Sequence, residues 1–248
     1  MPLSKDFKSI HFKIWETYFS QAYPNGRLKF PELANILQLT AAEHADLGGV
    51  GFSDLSQHDL SWVMNRMRIE VEEMPSFGKP LEIKTWIEEL KGFKSIRNFE
   101  VYGEGHKMIG VSSLWAIFNM KTRRPGALPF DTSYVEQFPE LHATHIPNQR
   151  IDLNFPTQDI FPQKVQFADL DIVNHVNNTK YLEWCLNHLD PRLILENKIK
   201  AIDVNFIKEL SLGEEIHIHR GVLENGNIGF KIQKGEQICF ACVFEIRG

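Results

Sequence analysis

One stretch of this chain is written twice. Ile69 to Ile83, IEVEEMPSFGKPLEI, lies without gaps on Val204 to Ile218, VNFIKELSLGEEIHI. Each copy holds an apolar strand, a Ser-x-Gly turn (Ser76/Gly78 and Ser211/Gly213) and a second alternating strand. A helix precedes each copy. Pro31 suits a first helical position, with Leu33, Ile36 and Leu37 marking the apolar face. In the second half Asn177, Asn178 and Thr179 are cap residues, and Tyr181, Leu182, Cys185, Leu186 and Leu189 recur at helical spacing until Pro191.

Strands then follow to the end of each half. Gly103-Glu104-Gly105, Asn225-Gly226 and Lys234-Gly235 mark the turns. The repeating unit is therefore one helix and four or five antiparallel strands, an α+β class in which a curved sheet wraps around the helix. Such a half exposes a sheet edge, and pairing two halves edge to edge removes it. The 248 residues suit two units of roughly 120 residues. The expected division is residues 1–140, a polar linker at 141–150 within ELHATHIPNQR, and residues 151–248.

Composition excludes several functions. A formal net charge of −5 argues against nucleic acid as a partner, although Lys121, Arg123 and Arg124 form a local basic cluster. No apolar run nears the roughly 20 residues of a membrane span, and MPLSKDFKSIHFKIWETYF lacks the apolar core of a leader, so a cytoplasmic protein is expected. Cys185, Cys239 and Cys242 build no disulfide framework, and Cys239 and Cys242 fall on opposite faces of one strand. His217 and His219 share a strand face without a third ligand. There is no GxSxG elbow, no phosphate-binding GxxxxGK[ST] and no GxGxxG after a strand, so neither metal nor cofactor is expected. The 18 phenylalanines suit a large apolar interior or pocket.

Chemistry concentrates in Phe167 to Tyr181, FADLDIVNHVNNTKY, which sets Asp169, Asp171, Asn174, His175 and Asn177 in the approach to the second helix. Helix N-termini carry unpaired N–H groups and the positive end of the dipole, a place that favours a developing oxyanion. His175 could activate water near neutral pH, and Asp171 could fix its tautomer. An Asx turn and cap with an incidental histidine is the bland alternative. The duplication sharpens the choice. Aligning the helices sets His175 opposite Gly26 and Asn174 opposite Asn25, while aligning the strands sets Glu209 opposite Met74. One half then carries the ionisable pair and the other an apolar surface suited to holding a chain. In a plain strand Glu209 would face away from Val204 and Phe206, so a bend is required.

Taken together, LANILQLTAAEH, GVGFSDLSQHDLSWVMNRMRIEVEEMPSFGKPLEIKTWI, SLWAIFNMKTRRPGALP, FADLDIVNHVNNTKYLEWCL and NFIKEL resemble the acyl-(acyl-carrier-protein) thioesterases, as a bacterial relative of the plant plastid enzymes. The resemblance covers nearly the whole chain. It implies a double hotdog fold and hydrolysis of fatty-acyl thioesters on acyl carrier protein, as a monomer or homodimer. It carries the family's catalytic Asp, His and Glu onto Asp171, His175 and Glu209. The family usually has Asn two residues after the Asp; here Val173 stands there, leaving Asn174 or Asn177 to replace it unless it is dispensable. Plant members often have Cys after the Glu, and Leu210 in that place excludes a thiolate route through it. Trp62, Met64, Met67 and Met74 are candidate acyl-pocket residues, and Lys121, Arg123 and Arg124 a candidate docking cluster for an acidic carrier. An acyl-CoA thioesterase, a hotdog enoyl-thioester hydratase and a non-catalytic acyl-binding protein are the alternatives.

Overall fold

A computed structural model describes residues 3–248. Its strands are β1 (Ile10–Trp15), β2 (Leu60–Val71), β3 (Leu81–Lys91), β4 (Lys94–Gly103), β5 (His106–Asn119), β6 (Arg124–Pro125), β7 (Asp159–Lys164), β8 (Ile199–Phe206), β9 (Glu215–Val222), β10 (Ile228–Lys234) and β11 (Gln237–Ile246). The helices are α1 (Phe30–Leu47), α2 (Phe52–Ser56), α3 (Asn178–Leu186) and α4 (Pro191–Leu195). All strands join one sheet in the order β1-β3-β4-β5-β2-β8-β11-β10-β9-β7, with β6 paired to β5. The order reads as two copies placed back to back. Each would leave an edge at β2 or β8, and those edges pair antiparallel from Arg66 opposite Asn205 to Glu70 opposite Ala201.

The written repeat is also a structural one. The N–H groups of Glu72 and Glu73 both donate to the Met108 carbonyl, and those of Ile207 and Lys208 both donate to Cys239, so each half has a bulge at the same place. At the seam Arg68 lies opposite Asp203, its own counterpart in the repeat, so the local two-fold is broken by one ion pair. Arg68 is 1% exposed and donates to Asp203 at 2.6 Å, Glu70 at 2.8 Å and Glu245 at 2.8 Å.

Alternation sends the neighbouring Met67 and Ile69 to the opposite face, where Leu33, Ile36 and Leu37 of α1 and Leu182, Cys185 and Leu186 of α3 share one core with them. Helix boundaries refine the sequence expectation. Pro31 is the second residue of α1, not the first, and α1 runs 18 residues against nine for α3. Pro191 does not simply end the segment: Asp190 caps a new short helix that begins on it. Leu189 is buried beyond the end of α3.

Residues 141–157 carry no helix or strand and cross the outer sheet face as a strap. Lys107 Nζ donates to the Ala143 carbonyl, Asn205 receives the Ile151 N–H and donates to Gln149, and Lys231 reaches the carbonyls of Leu153 and Phe155. The chain lies so close that a Cβ at Gly110 would meet Ala143 O at 2.0 Å, and one at Gly221 would meet Pro156 O at 2.0 Å. Only glycine fits under the strap at those two points.

Candidate active site

A 3-10 turn at Phe167–Asp169 leads into a tight loop closed by an isolated bridge between Leu170 and Val176. Within it the Asp171 N–H donates to His175 O at 2.8 Å, the Asn174 N–H donates to Asp171 O at 3.0 Å, and Asn174 takes a left-handed φ of 63°. Asp171 Oδ1 accepts the backbone N–H of Val173 at 3.0 Å and of His175 at 3.3 Å. The carboxylate thus forms an Asx turn that shapes the loop, and its recorded bonds go to backbone and not to the imidazole.

The first half builds the same loop. Ala22 bridges Leu28, Tyr23 N–H donates to Arg27 O, Gly26 N–H donates to Tyr23 O, and Gly26 has φ 75°. The counterpart of Asn174 is therefore Gly26, and that of His175 is Arg27, one residue from the pairing that helical periodicity suggested. Apolar spacing fixes an alignment only to within part of a turn, whereas the loop needs its left-handed residue in one place. Glu209 keeps Met74 as its counterpart, because Pro75 O accepts from Leu28 as Leu210 O accepts from Val176. In the first half Arg27 closes on Glu73 at 2.8 Å, Met74 O at 2.8 Å and Ser76 Oγ at 3.0 Å. That ion pair replaces the pair of the second half.

The bulge after β8 supplies the bend that Glu209 needs. Beyond it, Leu210 N–H donates to the Tyr181 hydroxyl at 3.0 Å and pins the segment against α3. His175 Nε2 then lies 3.5 Å from Glu209 Oε2, with side chains 26% and 30% exposed. Burial raises the Tyr181 phenol pKa, an effect to which the nearby charge of Cys239 and Glu209 adds.

Two cavities meet here. One is lined by His175, Glu209, Asp171, Tyr181, Asn65 and Arg123, and holds about 290 Å³. The other, about 410 Å³, runs along α1 between Leu39, Ala45, Val50, Trp115 and Leu128. Ser61, Trp62, Asp171, Val173 and Asn178 line both. The larger cavity is mainly apolar, yet its wall includes buried Arg97, which donates to His44 Nδ1 at 2.9 Å and to Thr85 at 3.1 Å. Burial lowers the Arg97 pKa to about 10, and burial followed by the charge of Arg97 lowers that of His44 to about 3.

Each sequence-selected residue now has a place. Trp62 lies at the junction, its indole N–H on Val50 O, and Met64 lines the His175 cavity. Met67 lines a small void with Gln38 and Asn178, while Met74 is buried in the core and lines neither large cavity. Asn174 is exposed and lines neither. Asn177 caps α3, its Oδ1 accepting from Thr179 N–H at 3.0 Å and Thr179 Oγ1 at 2.9 Å. Asn178, seen in the sequence only as a cap, donates to Gln38 Oε1 at 3.1 Å where the cavities join. Lys121 pairs with Asp59 at 2.9 Å, Arg124 is exposed, and Arg123 forms an ion pair with Glu209.

The N-terminal domain of the acyl-ACP thioesterases matches residues 8–134 of this chain, and their C-terminal domain matches residues 157–247. The chain belongs to the acyl-ACP thioesterase family. It is 28% identical over 193 residues to a chloroplast palmitoyl-acyl carrier protein thioesterase of Arabidopsis thaliana, covering 71% of this chain and 46% of that one. It is 27% identical over 197 residues to oleoyl-acyl carrier protein thioesterase 1 of the same plant, covering 71% and 54%. The chain spans about half the length of these plant relatives. Its fold matches an acyl-ACP thioesterase structure from Bacteroides thetaiotaomicron with a TM-score of 0.88 at 24% identity, covering 96% of this chain and 98% of that one. It also matches the 12:0-ACP thioesterase of Umbellularia californica with a TM-score of 0.83 at 20% identity, covering 97% and 98%. The duplicated α+β architecture read from the repeat, and the double hotdog that the resemblance implied, are thus the fold of this family.

Proposed function

We propose that this protein hydrolyses fatty-acyl thioesters of acyl carrier protein and releases the free acid in fatty acid biosynthesis. The observation that carries this reading is the meeting of His175 and Glu209, 3.5 Å apart, at the junction of the two cavities. The acyl chain lies in the larger cavity along α1, past Trp62, and the carrier's arm enters over His175. Glu209 and His175 activate a water, and Asp171 positions His175 by fixing the loop that bears it. The start of α3 offers the positive end of its dipole and the Asn178 N–H to the carbonyl oxygen, the N–H groups of Thr179 and Lys180 being bonded to Asn177. Val173 offers no polar group there, and Asn177 is committed to its cap. A covalent anhydride on Glu209 is disfavoured, because the neighbouring imidazole suits water activation.

The names of the plant relatives support acyl carrier protein as the thiol carrier, and the exposed cations Lys121 and Arg124 suit an acidic docking partner. No helix of the described residues is long and apolar enough to cross a membrane. We place the protein in the cytoplasm, as a monomer or homodimer. A thiol-release assay over C8 to C18 acyl carrier protein substrates, run beside the matching CoA thioesters, tests the reading. Turnover is expected with a preference for the carrier-bound series. A preference for CoA would reassign the carrier, and water addition to an enoyl thioester without thiol release would replace hydrolysis by hydration.

A further inference from the structure

We infer that Arg123 is a positioning residue for Glu209 and that the basic cluster is divided in its work: Arg123 serves turnover, while Lys121 and Arg124 face the carrier. The inference rests on the thioesterase reading above.

The turn between β5 and β6 carries the argument. Asn119 Oδ1 accepts the N–H groups of Lys121 at 3.1 Å and Thr122 at 2.8 Å, and Asn119 O accepts that of Arg123 at 2.8 Å. Arg124 and Pro125 then fold back onto Asn119 and Phe118. This geometry holds Arg123 at φ 58°, a left-handed conformation that is uncommon outside glycine and tends to persist where function requires it. Of the three cations, only Arg123 lines the cavity that contains His175 and Glu209, beside Phe118 and Met120 of the same turn. Lys121 points to Asp59, with a side chain 75% exposed.

Arg123 and His175 address the same oxygen of Glu209, Oε2. Oε1 therefore stays available for a water. A partly exposed glutamate with only a 3.5 Å imidazole contact would sample several rotamers, and a second, charged partner from the β5–β6 turn restricts it to one. The groups that face Glu209 are His175 and Asp171 from the loop before α3, Tyr181 from α3, Arg123 from the β5–β6 turn and Lys208 from its own segment.

Steady-state thiol release by the full chain, measured against salt with a carrier-bound acyl substrate, tests this in Arg123→Gln, Arg123→Lys, Glu209→Gln and the double variant Lys121→Glu/Arg124→Glu. Arg123→Gln should lower kcat by roughly tenfold or more at every salt concentration, with little change in KM. Arg123→Lys should recover much of kcat. The double variant should instead raise KM, and that effect should fade as salt screens it. Arg123 lies in an exposed turn, and an unchanged Tm verifies folding. A wild-type kcat in Arg123→Gln, or a loss confined to KM and abolished by salt, overturns the inference. If Glu209→Gln itself retains turnover, the thioesterase site fails first, and the two failures are thereby separate.

Discussion

At the scale of single residues, the His175–Glu209 pair is placed by two neighbours. Asp171 holds the loop that carries His175, and the Tyr181 hydroxyl holds the segment that carries Glu209. Replacing either member of the pair, by His175→Ala or Glu209→Ala, should reduce kcat by about 10²-fold or more while leaving the fold intact, as followed by thiol release and circular dichroism. The buried His44 makes a separate prediction. Its folded pKa, lowered to about 3 chiefly by burial, lies below the unfolded value, so its neutral form is favoured in the native state. Stability from this site is complete above about pH 6.5 and falls as pH drops towards 3, with a slope of up to about 1.4 kcal/mol per pH unit. His44→Gln should flatten the acid side of the Tm–pH curve, and an unchanged slope would show that His44 is protonated in the folded state.

Elements decide where those residues go, and here the sequence was unevenly legible. The Asp-x-x-x-His-Val-Asn-Asn turn is largely local: the bonds of Asp171 with Val173, Asn174 and His175 close within four residues, so composition and spacing announce it. Glu209 is legible only through the repeat and the family resemblance, because the bulge that re-aims it depends on Cys239, 30 or more positions away. The partnership of Arg123 with Glu209 spans two halves and left no local pattern, so its charge alone suggested a docking role. The strap was hidden for a similar reason. The purpose of Gly110 is clearance beneath Ala143. Gly110→Ala or Gly221→Ala should each cost about 1–3 kcal/mol in denaturant unfolding, since the added methyl meets backbone that cannot move aside cheaply.

The whole molecule is a pseudo-dimer in one chain, and its seam is asymmetric in charge. Arg68 answers three carboxylates, Asp203, Glu70 and Glu245, so one negative charge or more is in excess. Burial raises the Asp203 pKa to about 6 against the opposing pull of Arg68. For a carboxyl raised in the folded state, the stabilising contribution is full below about pH 3.8 and is lost as pH rises through about 6. Asp203→Asn should therefore gain on the wild type between pH 4 and 7, on the order of 1–3 kcal/mol in chemical denaturation. No relative gain across that window would mean that Arg68 keeps Asp203 ionised throughout. The proposed function adds a division of labour to the same two-fold organisation: the first half answers the pair with Arg27 and Glu73 and offers the cavity along α1, and the second half keeps His175 and Glu209. The most direct test of that division is single-turnover thiol release from a carrier-bound acyl thioester by wild type and Glu209→Gln. The account predicts rapid release by the wild type and a loss of about 10²-fold or more in the variant, with the acyl substrate still bound. Equal rates in the two proteins would contradict it.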